Sequence, residues 1–358
     1  MKSRRTSNHA QNSLPACSVS PPSSKTSYVG VYVSCVILGL VVWLGLINPS
    51  KQVKQSRNTA DSFNNAISPS SIVKPQFRPP ETLAELLSMR PDDLGKVDIA
   101  RMNLLCATGL NGSENMNIHE IETTLDRWAV WVRSETRQNL HRFRDNPAAY
   151  ENSTIYYQMG MLTTVLQQDF KVQYNPARIP IGGLDEPDNI FFADSKDVFL
   201  NGLASTRAMG TCSSLPVLYV AIGRRLGYPL KLAAAKAHLF VQWELGENNA
   251  HVNIEGSGHG FHIENDAYYR KWPYPMSDDE LIMGHYLQPM TPAQELAVFL
   301  ETRAACLDAT NRMVEARQTY AEAAALIPDW PAVKLALIRL SEGKSIQMLP
   351  SRDISLRK

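Results

Sequence analysis

A thiol becomes a nucleophile where a glycine-led turn delivers it to the start of an apolar helix, and Cys212 has that setting in Arg207-Ala-Met-Gly-Thr-Cys-Ser-Ser-Leu-Pro216. At a helix N-terminus the positive end of the helix dipole and the free backbone N–H groups both favour thiolate over thiol. Downstream, His238 opens an alternating run that ends at Glu244, and a second strand-like run, Ala250 to Glu255, carries an amide at Asn253 and an acid at Glu255. A cysteine, then a histidine, then an acid or amide is the set that nucleophilic cysteine catalysis requires. In that scheme His238 takes the thiol proton and returns it to a leaving amine, and Glu255 or Asn253 holds the imidazole. The Cys212 backbone N–H supplies one oxyanion donor, and a second is not identified by its residue type.

The other candidates for chemistry are weaker. Cys106 and Cys306 lie in apolar helical contexts where a cysteine is a small buried hydrophobe, and the five cysteines form no CxxC pair or disulfide framework. His251, His259 and His262 match no compact ligand spacing, and the Gly256-Ser-Gly-His-Gly260 run, which reads as a mobile loop, lacks the lysine pattern and flanking strand of a phosphate cradle. No metal and no cofactor is expected. A net charge of +1 with 20% charged residues gives no basic surplus for nucleic acid.

The elements that must position these residues can be read from periodicity. Gly227 and Pro229 end the helix that follows the cysteine, and Pro216 is tolerated only in its first turn, which places the helix start at about residues 212 to 214. Leu230 to Ala235, His238 to Glu244 and Ala250 to Glu255 read as antiparallel strands. Side chains alternate with period two, so His238, Phe240, Gln242 and Glu244 share one face, and Asn253 and Glu255 share another. Earlier, Thr82-Leu-Ala-Glu85 reads as a capping box, and helices are expected over about Ile118 to Arg144 and Ile155 to Gln168. An irregular loop follows from Asn175 to Pro187. After Thr291-Pro-Ala-Gln294, another capping box, Ala304, Ala316, Tyr320, Ala323 and Pro328 fall at the spacing of a tetratricopeptide repeat, with a further helix at Pro331 to Leu340. So few repeats should dock on the preceding domain.

These motifs together resemble the transglutaminase-like cysteine enzymes, and within them the bacterial branch whose core is followed by a tetratricopeptide-like segment. The resemblance is carried by Asp197-Val-Phe-Leu-Asn-Gly202, Gly210-Thr-Cys-Ser-Ser214 with Leu218-Tyr219, Arg225-Leu-Gly-Tyr-Pro229, Ala237-His-Leu-Phe240 and Val252-Asn-Ile-Glu-Gly256. It implies an α+β, papain/transglutaminase-like core in which the cysteine helix packs on an antiparallel sheet, with Cys212 and His238 in the catalytic positions. Where the family has Asp, this chain has Glu255; Asn253 is the alternative third member.

Tyr28 to Ile47 is a run of 20 residues without a charge, long enough to cross a bilayer as a helix. It exceeds a signal peptide's apolar region and lacks small residues at cleavage spacing, so a retained anchor is favoured over a cleaved one. The resulting expectation is a polar basic tail (1–27), a transmembrane helix (28–47), a disordered linker (48–80), a transglutaminase-like domain (81–290), a tetratricopeptide-like segment (291–342) and a C-terminal tail (343–358). The protein would be a single-pass membrane protein with an extracytoplasmic catalytic domain. It would act on peptide or protein amides as a hydrolase or acyltransferase, with a non-catalytic scaffold that binds a protein partner as the rival reading.

Overall fold

The computed structural model describes residues 77–179, 191–246, 250–328 and 330–343. Short helices open the chain: α1 (Leu83–Leu87), α2 (Pro91–Leu94) and α3 (Ile99–Ala107). Thr82 caps α1 by accepting from the Glu85 N–H at 3.1 Å, while the Glu85 carboxylate accepts from the Glu81 N–H rather than from Thr82. The capping box expected there is therefore only half formed. The long helix expected to Arg144 is divided into α4 (Ile118–Gln138) and α5 (Leu140–Asp145). Asn139 makes the break, because its side-chain amide donates to the Glu135 carbonyl at 2.9 Å and competes with the backbone ladder. Next comes α6 (Thr154–Thr164), which runs on into a π-helical turn, Val165–Asp169.

A two-residue parallel pair joins β1 (Gln173–Tyr174) to β2 (Met209–Gly210), with α7 (Ser195–Val198) and α8 (Leu200–Leu203) between them. Helix α9 (Leu215–Leu226) follows, ended by Gly227 in the left-handed region as its sequence predicts. The main sheet is antiparallel in the order β3 (Leu230–Ala235), β4 (His238–Glu244), β5 (His251–Glu255), β6 (His262–Glu264). The chain then forms α10 (Asp266–Tyr269), α11 (Asp278–Met283), α12 (Pro292–Ala309), α13 (Met313–Leu326) and α14 (Pro331–Ser341).

Helix α9 is buried along Leu215–Gly223 and packs against α3 and α4 on one side and β3 and β4 on the other. Burying an apolar element on both sides is what holds the molecule together, since each fully buried Leu or Ile contributes about 1.5–3 kcal/mol. The C-terminal helices continue the same core. Helix α12 packs on α3, its Arg303 donating to the carbonyls of Cys106 at 2.8 Å and Thr108 at 2.6 Å. Arg224 of α9 forms a two-point ion pair with the buried Glu295 of α12, at 2.5 and 3.1 Å.

The expected membrane-spanning helix needs correction. Among the described residues no helix is long and apolar enough to cross a membrane. The two longest show why: α4 carries Glu120, Glu122, Asp126, Arg127 and Arg133, and α12 carries Glu295, Glu301, Arg303 and Asp308, charges that are costly in a bilayer interior. The 28–47 segment that prompted the expectation lies outside the described residues, as do the tail at 1–27 and most of the linker at 48–80. Over the described residues the fold is accordingly a mixture of helices and small sheets with no spanning helix, and the single-pass membrane location and extracytoplasmic orientation are corrected with it.

Candidate functional site

Cys212 lies in the turn that feeds α9. The Leu215 N–H donates to the Thr211 carbonyl at 2.9 Å, so helical bonding begins one residue before the thiol. The Thr211 N–H donates to Ser214 Oγ at 3.0 Å, and the Thr211 and Ser214 hydroxyls both donate to the main-chain carbonyl of Asp197, at 2.9 and 3.0 Å. Glycine is required at 210, where a Cβ would stand 2.4 Å from Ser214 Oγ.

The carboxylate of Asp197 is fully buried and accepts from Asn175 Nδ2 at 2.7 Å, Arg178 Nε at 2.8 Å and Arg207 Nη2 at 2.5 Å. One residue thus ties the cysteine turn to β1 and its exit. The resemblance put Asp197 at the head of a motif; its role as anchor appears only when β1 and β2 pair.

That pairing brings Tyr174 to the thiol. Tyr174 is opposite Gly210 in the register, which sets its phenol beside Cys212, near enough for the thiol and the Cys212 backbone N–H to influence it. Burial, followed by the proximity of Cys212, raises the Tyr174 phenol well above its ordinary range, so it stays a neutral O–H. Nothing in the sequence marks this tyrosine, which lies 38 residues before the cysteine and reaches it by a two-residue strand.

His238 comes from the first position of β4, directly after the two-residue turn Lys236-Ala237. Its Nε2 lies 2.8 Å from Glu255 Oε2, and the Cys212 side chain is near enough to the ring to favour its charged form. With Nε2 held by Glu255, Nδ1 is the nitrogen left for sulfur. Burial by itself opposes a charged imidazole here, but the Glu255 carboxylate and the Cys212 contact outweigh it and raise His238 well above its usual value. Trp272, 37% exposed, packs on the ring in a T-shaped contact at 4.6 Å between centroids and 71° between planes.

Register decides between the two candidate third members. Gln242 pairs with Asn253 and Val241 with Ile254, so Asn253 sits four residues along from His238, roughly 13 Å at a strand's rise per residue. Glu255 reaches His238 across the diagonal, which a Glu spans with its extra methylene. Asn253 does a different job: it accepts from Gln242 Nε2 at 2.9 Å and donates to Asp266 Oδ1 at 2.7 Å. Asp266 opens α10, and α10 carries Tyr269 back over the sheet to stack on Phe240 at 3.9 Å.

Four donors surround the Glu255 carboxylate. Oε2 takes His238 Nε2 and the Tyr269 hydroxyl at 3.1 Å; Oε1 takes the Ser257 N–H at 2.8 Å and the Ser257 hydroxyl. Burial would push this acid up, yet His238 and Ser257 outweigh it and hold Glu255 below the ordinary carboxylate range. The result is a buried anion with its lone pairs satisfied, beside an imidazole held in its charged form.

Two of the other histidines make hydrogen bonds away from the thiol, His251 with Asp266 at 3.2 Å and His262 with the His259 carbonyl at 3.1 Å. Among the described residues no group of three or more His, Cys, Asp or Glu gathers as metal ligands would. Cys106 and Cys306 are buried, and burial pushes both thiols up to about 12. Comparison with family models, with curated proteins and with solved structures finds no match to this chain.

Proposed function

We propose that the protein is a cysteine amidase or acyltransferase in which Cys212, His238 and Glu255 act on peptide or protein amides. The observation that carries this reading is the line from the Cys212 thiol through the imidazole to a carboxylate whose three other contacts fix its orientation. A structural histidine needs one partner; this one has a half-exposed thiol on one side and a preorganised anion on the other. The resemblance to transglutaminase-like cysteine enzymes adds support through the same residues.

In the first step Cys212 Sγ adds to the amide carbonyl as His238 holds the thiol proton. The C–N bond then breaks, His238 delivers that proton to the leaving amine, and a thioester remains on Cys212. Water, activated by His238, adds to the thioester and releases a carboxylic acid and the free thiol. An amine in place of water gives acyl transfer. Glu255 stays ionised throughout and stabilises the imidazolium.

Tyr174 supplies the second oxyanion donor in this scheme. In this scheme the Tyr174 O–H and the Cys212 N–H, which neighbour each other at the thiol, both donate to the substrate's carbonyl oxygen. Tyr174→Phe is therefore expected to lower kcat by about 10² to 10³, the usual cost of one oxyanion donor, with KM little changed. A loss confined to KM would remove Tyr174 from this role.

The reading is tested by thiol capture on the native protein. A peptide-like electrophile followed by mass spectrometry is expected to mark Cys212 and to spare Cys106 and Cys306, and His238→Ala should slow that marking. Accessibility alone would make Cys212 selective, so the histidine dependence is the deciding result. Labelling that is indifferent to His238 would favour a non-catalytic scaffold that binds a protein partner through the same fold.

A further inference from the structure

The loop that holds Glu255 is itself held from outside the sheet. Residues 256–261 join β5 to β6, and the first side chain after Gly256 is Ser257, whose N–H and hydroxyl both bind Glu255 Oε1. Across from this loop, Gln167 sits in the π-helical turn at the end of α6, closed by a bond from the Phe170 N–H to the Val165 carbonyl. Its side-chain amide spans the loop, with Nε2 donating to the Gly258 carbonyl at 3.1 Å and Oε1 accepting from the Gly260 N–H at 2.9 Å. The same Nε2 approaches the hydroxyl of Tyr219, on the cysteine helix, at 3.5 Å. Farther along, Phe261 meets Tyr156 of α6 edge-on at 4.8 Å.

We infer that Gln167 is a positioning residue for the Glu255–His238 couple, acting through the clamp it places on Gly258 and Gly260. This rests on Cys212 and His238 being the reacting pair. The argument is one of degrees of freedom. Glu255 reaches its histidine on a diagonal with a flexible side chain, so its carboxylate plane must be fixed by something other than the strand. Ser257 does so at Oε1, and Ser257 is only as well placed as the loop that bears it. Gln167 pairs one loop acceptor and one loop donor with a single planar amide, a contact that specifies orientation as well as distance. A π turn adds a residue to a helical turn and is frequent at functional sites; here it carries the amide that faces the loop.

Three variants of the full chain test this: Gln167→Ala, Gln167→Glu and Glu255→Gln. The readouts are the rate of Cys212 alkylation by iodoacetamide and the His238 titration followed by NMR on isotope-labelled histidine. Gln167→Ala is expected to slow alkylation ~10- to 100-fold, the scale of effect when a group is misplaced by about 1 Å, and to move the His238 midpoint down. Gln167→Glu keeps the acceptor for the Gly260 N–H and should fall between Ala and wild type. Combined with Glu255→Gln, the Gln167 change should be nearly silent, because its main route to the thiol is through that carboxylate, the 3.5 Å approach to Tyr219 being the weaker contact. Continued protection of Cys106 and Cys306 shows that the variants are folded. Wild-type alkylation and an unmoved His238 midpoint in folded Gln167→Ala, or an additive loss in the double variant, would overturn the inference and leave the reading of the site intact. A wild-type His238 that titrates as an ordinary histidine would overturn both.

Discussion

Cys212→Ala is expected to abolish amide turnover, a loss on the order of 10⁶-fold in kcat if the residue is the nucleophile, and to leave the fold in place. The two halves of that expectation have separate causes. In the proposed mechanism the thiol carries the acyl group, and the neighbouring hydroxyls of Ser214 and Ser257 are engaged with the Asp197 carbonyl and the Glu255 carboxylate. The turn around it, however, is built by the Thr211 and Ser214 hydroxyls on the Asp197 carbonyl, not by sulfur. Stability should therefore change by no more than about 1 kcal/mol. Turnover by a rigorously purified Cys212→Ala protein at the wild-type rate would move the nucleophile elsewhere.

Glu255→Gln carries the second largest expected effect. Converting the orienting carboxylate of a catalytic triad to an amide costs about 10⁴ in kcat, chiefly through the wrong imidazole tautomer, and a similar fall in the single-turnover acylation rate is expected here. Asn253→Ala should be a different kind of variant: it breaks the bonds to Gln242 and Asp266 and costs about 1–3 kcal/mol of stability, with turnover reduced far less. If Asn253→Ala were the slower enzyme, the site would be papain-like in its third member. Glu255→Gln should also change how stability depends on pH. Glu255, held low, contributes stability that is complete above the ordinary carboxylate range and lost as pH falls through its lowered value. His238, held high, contributes stability that is complete below its ordinary value of 6.5 and lost as pH rises through its raised one. The pair therefore supports the fold most strongly between these limits, and the variant should lose stability at lower alkaline pH than the wild type, as melting curves across pH would show.

Local pattern makes the cysteine turn, the helix after it and the strands carrying His238 and Glu255 readable, because capping, proline position and period-two alternation act within a few residues. What escapes such reading depends on register or on distant pairing. Asn253 and Glu255 look equivalent because they share a face; only the alignment of β4 with β5 separates them. Tyr174 is invisible because its approach to Cys212 needs a two-residue parallel strand that has almost no pattern of its own. Helix α3 escapes periodicity for the opposite reason: it is buried at every position but Arg101 and so has no polar stripe to mark its phase. The Gly256–Gly260 run reads as a mobile loop from its composition, yet Gln167, 91 residues before Gly258 and 93 before Gly260, fastens it.

The Arg224–Glu295 pair has a consequence for anyone who would shorten or transplant this chain. A change in sequence pattern at residue 291 invites a cut there, but it is not a seam. Cutting would strand a guanidinium on the helix that follows Cys212, leave the carbonyls of Cys106 and Thr108 without the Arg303 donor, and strip α3 of its α12 neighbour. The terminal helices are thus inherited with the thiol, and the smallest transferable unit ends beyond them.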